Sequence, residues 1–237
     1  MNNFPGDSGR RVVADQAGLN TFLTRMYGYM TLAVLVSALS AWQTMTTFRN
    51  AVMGYFGVHP GMVWLILLLP FALTMGISFS ATRNPVGSFI MLMVVAIIYG
   101  VEFALIAGAY TGTNIAAAFV SSAAVFATMT IYGTVTKRDL SKFGSQALAA
   151  LVALFIAYLI NMFLKSPAIA YIFSFIAVII FVVLTAWDAQ KMKQIYLNYS
   201  TANSVAGLAI IGALQLYLDF INLFISFLQI FGMSDRD

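Results

Sequence analysis

The chain contains no cysteine, one histidine and five prolines, and only 8% of its 237 residues are charged. Without cysteine there can be no disulfide, thiol nucleophile or thiolate metal centre. His59 alone cannot build a multi-histidine metal site, and it lies in a loop beside Pro60. No glycine-rich loop followed by lysine is present to cradle phosphates, and no serine, histidine and acid set stands out. The Tyr-Asp and Gly-x-Gly-Asp motifs that intramembrane aspartyl proteolysis would need are also missing. Neither an enzyme nor a resident cofactor is expected. The scarcity of charge decides the class, because a soluble domain carries about 25% charged residues. With 61% hydrophobic residues and a mean hydropathy of +0.90, the chain is an all-α integral membrane protein.

What is present are apolar runs. A spanning helix needs ~20 mostly apolar residues, and seven such runs occur: 23–46, 62–80, 86–108, 114–135, 145–164, 168–190 and 205–231. Residues 1–22 form a polar tail, 23–231 the membrane domain and 232–237 a short C-terminal tail. A cleavable signal peptide would place a shorter apolar run earlier. The net charge of +4, from twelve basic and eight acidic residues, fits topology better than nucleic-acid binding. Arg10, Arg11, Arg25, Arg83, Lys137, Arg138, Lys142, Lys191 and Lys193 fall on the N-terminal side of the membrane. Only Arg49, Lys165 and Arg236 fall on the other. The positive-inside rule then puts the N-terminus in the cytoplasm and the C-terminus outside.

Three acids sit within or at the edge of spans: Glu102, Asp188 and Asp219. A charge at bilayer depth costs roughly 2.5–3.5 kcal/mol on insertion scales, so such an acid needs a partner, a proton or an ion. Asp219 has no basic residue within a helical turn or two. Asp188 has an ordinary reading as an interfacial acid paired with Lys191 on the same helix face. Glu102 either lines a water-filled cavity or is a neutral, hydrogen-bonded structural acid. Arg83, at the junction of the second and third spans, is either topogenic or a cationic latch for an aspartate. The small residues Ala206, Gly207, Ala209, Gly212 and Ala213 allow close approach of neighbouring helices to the span carrying Asp219.

The stretch Leu216-Tyr217-Leu218-Asp219-Phe220-Ile221-Asn222-Leu223-Phe224 resembles the last-helix signature of the Bax inhibitor-1 family, the transmembrane BAX inhibitor motif proteins. Thr136-Lys137-Arg138-Asp139-Leu140-Ser141 resembles the family's loop between its fourth and fifth helices. Thr185-Ala186-Trp187-Asp188 resembles its sixth-helix aspartate segment, and Arg25-Met26-Tyr27-Gly28 the opening of its first helix. The architecture is most similar to the bacterial branch, which implies a bacterial inner membrane.

The resemblance implies seven helices with the seventh central among six. It implies a pH-sensitive calcium leak, a proton-sensing pair at Asp188 and Asp219, and an arginine latch whose nearest match is Arg83. Physically, two carboxylates in a poorly solvated site disfavour double ionisation, and their titration belongs to the pair. Calcium prefers hard oxygen ligands. Two carboxylates would hold it only transiently, as a conductor must. Straight spans from these boundaries would put Asp188 ~30 Å and Asp219 ~21 Å along antiparallel helices. The pair therefore requires the first turns of the last helix to project from the membrane.

The leading expectation is a cation leak channel or cation/proton exchanger. Its partners are calcium, protons and the bilayer, with no nucleic acid, and the chain acts as a monomer. The alternative is a non-conducting regulator that binds a membrane protease or stress-response proteins. A small-solute transporter comes third.

Overall fold

The computed structural model describes residues 8–59, 61–199 and 205–234. Those residues form eight helices: α1 (Ser8–Thr46), α2 (Arg49–Val58), α3 (Gly61–Ser80), α4 (Pro85–Ala107), α5 (Gly112–Val135), α6 (Ser141–Leu164), α7 (Pro167–Tyr199) and α8 (Val205–Ser234). Seven are long and apolar enough to cross a membrane; α2, at ten residues, is too short. The expected spans are present with shifted ends. α1 is continuous from Ser8, so no backbone break separates a tail at residue 22 from the first span. With no proline between residues 8 and 46, extending an already nucleated helix costs little. α7 runs nine residues beyond the expected end at 190, through good helix formers such as Gln190, Lys191, Met192 and Lys193.

Local chemistry sets several ends. Pro85 occupies the first turn of α4, and the Asn84 side chain accepts from the Gly87 N–H at 3.0 Å. Thr111 caps α5 in the same way through the Asn114 N–H. Lys165 closes α6 in the left-handed region (φ 51°), and Pro167 then opens α7. Pro70 lies inside α3. It has no N–H to donate to the Ile66 carbonyl, one turn earlier.

α8 is the central element. Of its most apolar stretch 67% is buried, against 33% or less in every other span. The other six spans do not surround it equally. α1, α3 and α4 pack together as one group, and α5, α6 and α7 as another. α8 lies between the groups, touching α7, α5, α1 and α4. α3 reaches it only near one end, and α6 packs on α7. The groups meet directly mainly where α1 touches α7, with Phe22 stacked on Tyr196 at a centroid distance of 4.8 Å. Between α1 and α5 the wall is open. Two adjoining apolar clefts of about 420 and 470 Å³ share Val34, Phe119 and Phe220. Large apolar side chains such as Phe79, Phe163 and Leu35 point outward, as a lipid-facing surface requires.

Candidate functional site

The two aspartates come from the α7–α8 pair. Gly212 lies against Met192 and Met26, and the Ser174 hydroxyl donates to the Gln229 side chain at 2.6 Å. These contacts fix an antiparallel register that sets Asp219 level with Thr185. Asp188 then lies one turn away, ~4.5 Å along the helix axis. The depth mismatch expected from the sequence does not arise, because α7 continues to Tyr199 and both helices extend well beyond the acids.

Asp219 is 5% exposed, and its Oδ2 is buried with no hydrogen-bond partner. Thr185 does not serve it, since the Thr185 hydroxyl donates to the Phe181 carbonyl of its own helix at 2.6 Å. Asp188 is partly exposed, and Lys191 Nζ stands 3.9 Å from its Oδ1. The same ammonium lies 4.7 Å from the centre of the Trp187 ring. The charges of Asp188 and Lys191 both reach Asp219. A buried carboxyl, a rim carboxyl and one cation thus form a single electrostatic unit.

Arg83 is not part of that unit. It is exposed in the α3–α4 turn, where its N–H donates to the Ser80 carbonyl. Gly207 of α8 packs against that turn at Ala81 and Thr82. Asp219 is twelve residues further along α8, ~18 Å away by helical rise. In this state Lys191, not Arg83, is the cation at the pair. Glu102 lies elsewhere again, near the far end of α4 and within electrostatic reach of Tyr99 and Tyr217. Among the described residues no three histidines, cysteines or acids converge as a metal site. An ion reaching the pair would meet two carboxylates.

The turn after Asp188 carries residues that sequence reasoning passed over. The Gln190 side chain accepts from the Leu140 N–H and donates to the Arg138 carbonyl, both at 2.8 Å. Lys193 Nζ donates to the Thr134 carbonyl at 2.7 Å. Together they bind the α5–α6 loop to the helix that bears the rim acid. Within that loop Asp139 accepts from the Ser141 N–H at 2.9 Å, and the Ser141 hydroxyl and N–H hold its carboxyl below the usual range. The signal in the sequence was an uncharged glutamine at the end of an apolar run. Gln190→Ala strands a buried N–H and should cost about 1–3 kcal/mol. Hydrogen exchange at 138–142 should accelerate, and unchanged exchange there would show that the clamp is not formed.

This is an all-helical integral membrane protein whose central helix carries a buried acid. A family model described as inhibitor of apoptosis-promoting Bax1 matches residues 19–236. The inner membrane protein YbhL of Escherichia coli (strain K12) is 37% identical over 235 residues, 98% of this chain and 99% of that one. The uncharacterized membrane protein SpyM3_0260 of Streptococcus pyogenes serotype M3 is 36% identical over 92% of this chain and 95% of its own length. The uncharacterized protein RP147 of Rickettsia prowazekii is 35% identical over 91% and 90%. The chain belongs to the Bax inhibitor-1 family.

Proposed function

We propose that the protein is a pH-sensitive calcium leak channel, or a cation/proton exchanger of the same build, gated by Asp188 and Asp219. It acts in a bacterial inner membrane with its N-terminus in the cytoplasm and its C-terminus outside, as a monomer and without covalent chemistry. The observation that carries this reading is the buried, unpartnered carboxyl of Asp219 one turn inside a rim acid held by a lysine. One charge at the rim is tolerable, whereas a second, buried beside it, needs a proton or a cation. Protonation at this point alters the contact between α7 and α8 and, through Gln190, the loop it holds. Calcium binds the pair transiently through carboxylate oxygens and leaves, because two carboxylates fall short of the six to eight oxygens it prefers.

Calcium entry into proteoliposomes, followed across a pH series, tests the reading. Flux that titrates supports it; no flux at any pH from folded protein overturns it. The identity of the cation at the pair gives a second test. An ammonium near a carboxylate favours the ionised form, so Lys191→Met should move the midpoint of flux to higher pH. A shift of about half a pH unit corresponds to the modest energy of a partly exposed ion pair. Arg83→Gln should leave the midpoint in place. The reverse result would make Arg83 the latch and show that it moves to the pair in another state.

One observation favours the alternative, a non-conducting regulator that binds a membrane protease or stress-response protein. The open flank between α1 and α5 is an apolar cleft floored by the buried Phe220 and Phe224 of the central helix, where a partner helix could lie. Binding of such a partner with no ion flux would decide for it.

A further inference from the structure

Glu102 is the acid that the pair does not use. It lies five residues before the end of α4, ~8 Å from that end by helical rise. Its Oε1 is buried and has no hydrogen-bond partner. Around it are hydroxyls rather than charges. Tyr217 is fully buried, and its ring stands edge-on to Tyr99 at 5.9 Å. The Tyr217 and Ser37 hydroxyls are 2.6 Å apart, and Ser37 donates its proton to the Ala33 carbonyl at 2.9 Å. The Tyr217 proton is therefore committed to Ser37, which leaves the phenol oxygen as an acceptor.

A second acceptor lies at the same level. Gly76 of α3 approaches Met91 of α4, and the Ser80 and Ser88 hydroxyls pair at 2.8 Å. Ten residues back along α3 from Gly76 and eleven forward along α4 from Met91 bring Ile66 level with Glu102. Ile66 is the residue whose carbonyl Pro70 leaves without its helical donor. The Tyr217 oxygen is thus an acceptor close to Glu102 and the Ile66 carbonyl an acceptor at its level on the next helix; what they lack is a proton to share. A carboxylic acid O–H supplies that proton, and a carboxylate cannot.

Among the described residues of the helices packed on α4, no cation competes for the role. α3 carries no charged residue along its length. α8 carries only Asp219, two residues and about 200° around the helix from Tyr217. From Gln16 onward the only charge on α1 is Arg25, towards its opposite end. The titratable neighbours are the phenols Tyr99 and Tyr217.

We propose that Glu102 is a second proton-holding site. It sits on the α1–α4 side of the central helix, about a turn along α8 from the level of Asp219, with the Tyr217 hydroxyl as its acceptor. Each side of α8 then has its own acid. That Glu102 holds a proton stands apart from the conduction reading; its influence on flux rests on that reading.

The direct test is infrared difference spectroscopy of wild type against Glu102→Gln at neutral pH. A protonated-carboxyl stretch present in the wild type and lost in the variant is the expected result. A carboxylate band lost in its place overturns the proposal whether or not the protein conducts. Should Glu102→Gln fail to fold, Tyr217→Phe provides the second test. Removing the phenol oxygen should shift the protonated-carboxyl band, and an unmoved band would remove Tyr217 as its acceptor. In proteoliposomes Glu102→Gln should alter the pH profile of flux and keep a response to pH, because the aspartate pair remains. An unchanged profile would overturn the influence of Glu102 on flux, whereas absent wild-type flux would count against conduction alone.

Discussion

Asp219→Asn should leave calcium flux with no response to pH across the range in which the wild type titrates. Asparagine has nearly the shape of aspartate and cannot ionise, so it freezes the central helix in its neutral condition. The side chain is 5% exposed and Oδ2 has no partner, so the change removes a buried charge without removing a hydrogen bond. The variant should fold and should be at least as stable as the wild type, because leaving a charge uncompensated at this depth costs several kcal/mol. Asp188→Asn should weaken the response and not erase it, since Asp219 keeps Lys191 within reach. The effect on flux should be large, a change of tenfold or more for each 1.4 kcal/mol of lost coupling. A pH profile in Asp219→Asn that overlays the wild type would end the sensor role of this residue.

The second large effect is structural. At Gly133 an added Cβ would overlap the Ala186 carbonyl, so α5 and α7 touch backbone to backbone at this point. A clash with a flexible side chain can be relieved by a change of rotamer, whereas a clash with a helix carbonyl requires one helix to move. Gly133→Ala should therefore cost about 1–3 kcal/mol, the usual penalty for overfilling a packed interior. Ala186 is two residues from Asp188 and four from Gln190, so displacing α7 also misplaces the rim acid and the loop clamp. Thermal unfolding in detergent should show a lowered midpoint, and Gly133→Val a larger drop. Wild-type stability in both variants would mean that the helices are further apart than this contact requires.

Much of the fold was legible from chemistry that acts locally. Apolar run length alone located seven spans, because the bilayer fixes how many residues a helix needs. The depth of an acid with no nearby base singled out Asp219. Three things were not legible, and each depends on how separate helices meet. The relative level of Asp188 and Asp219 follows from the packing of Met192 on Gly212, which no single-helix count contains. The distance of Arg83 from the pair follows from where Gly207 meets the α3–α4 turn. The role of Gln190 depends on a loop fifty residues earlier in the chain. The helix α2 was missed for a simpler reason: a ten-residue helix falls below the length that marks a span.

The division of the bundle into two groups about α8 has a mechanical meaning. The groups meet where Phe22 stacks on Tyr196 and are parted by apolar clefts along the flank between α1 and α5. That is the build of a book, with α8 lying between the leaves. One leaf can ease away from α8 along its own seam while the other stays closed, because few contacts tie the leaves together. Asp219 borders the α7 seam and Glu102 the α1–α4 seam, so each seam carries its own acid. Under the conduction proposed above, an ion would meet a carboxyl group whichever seam parted.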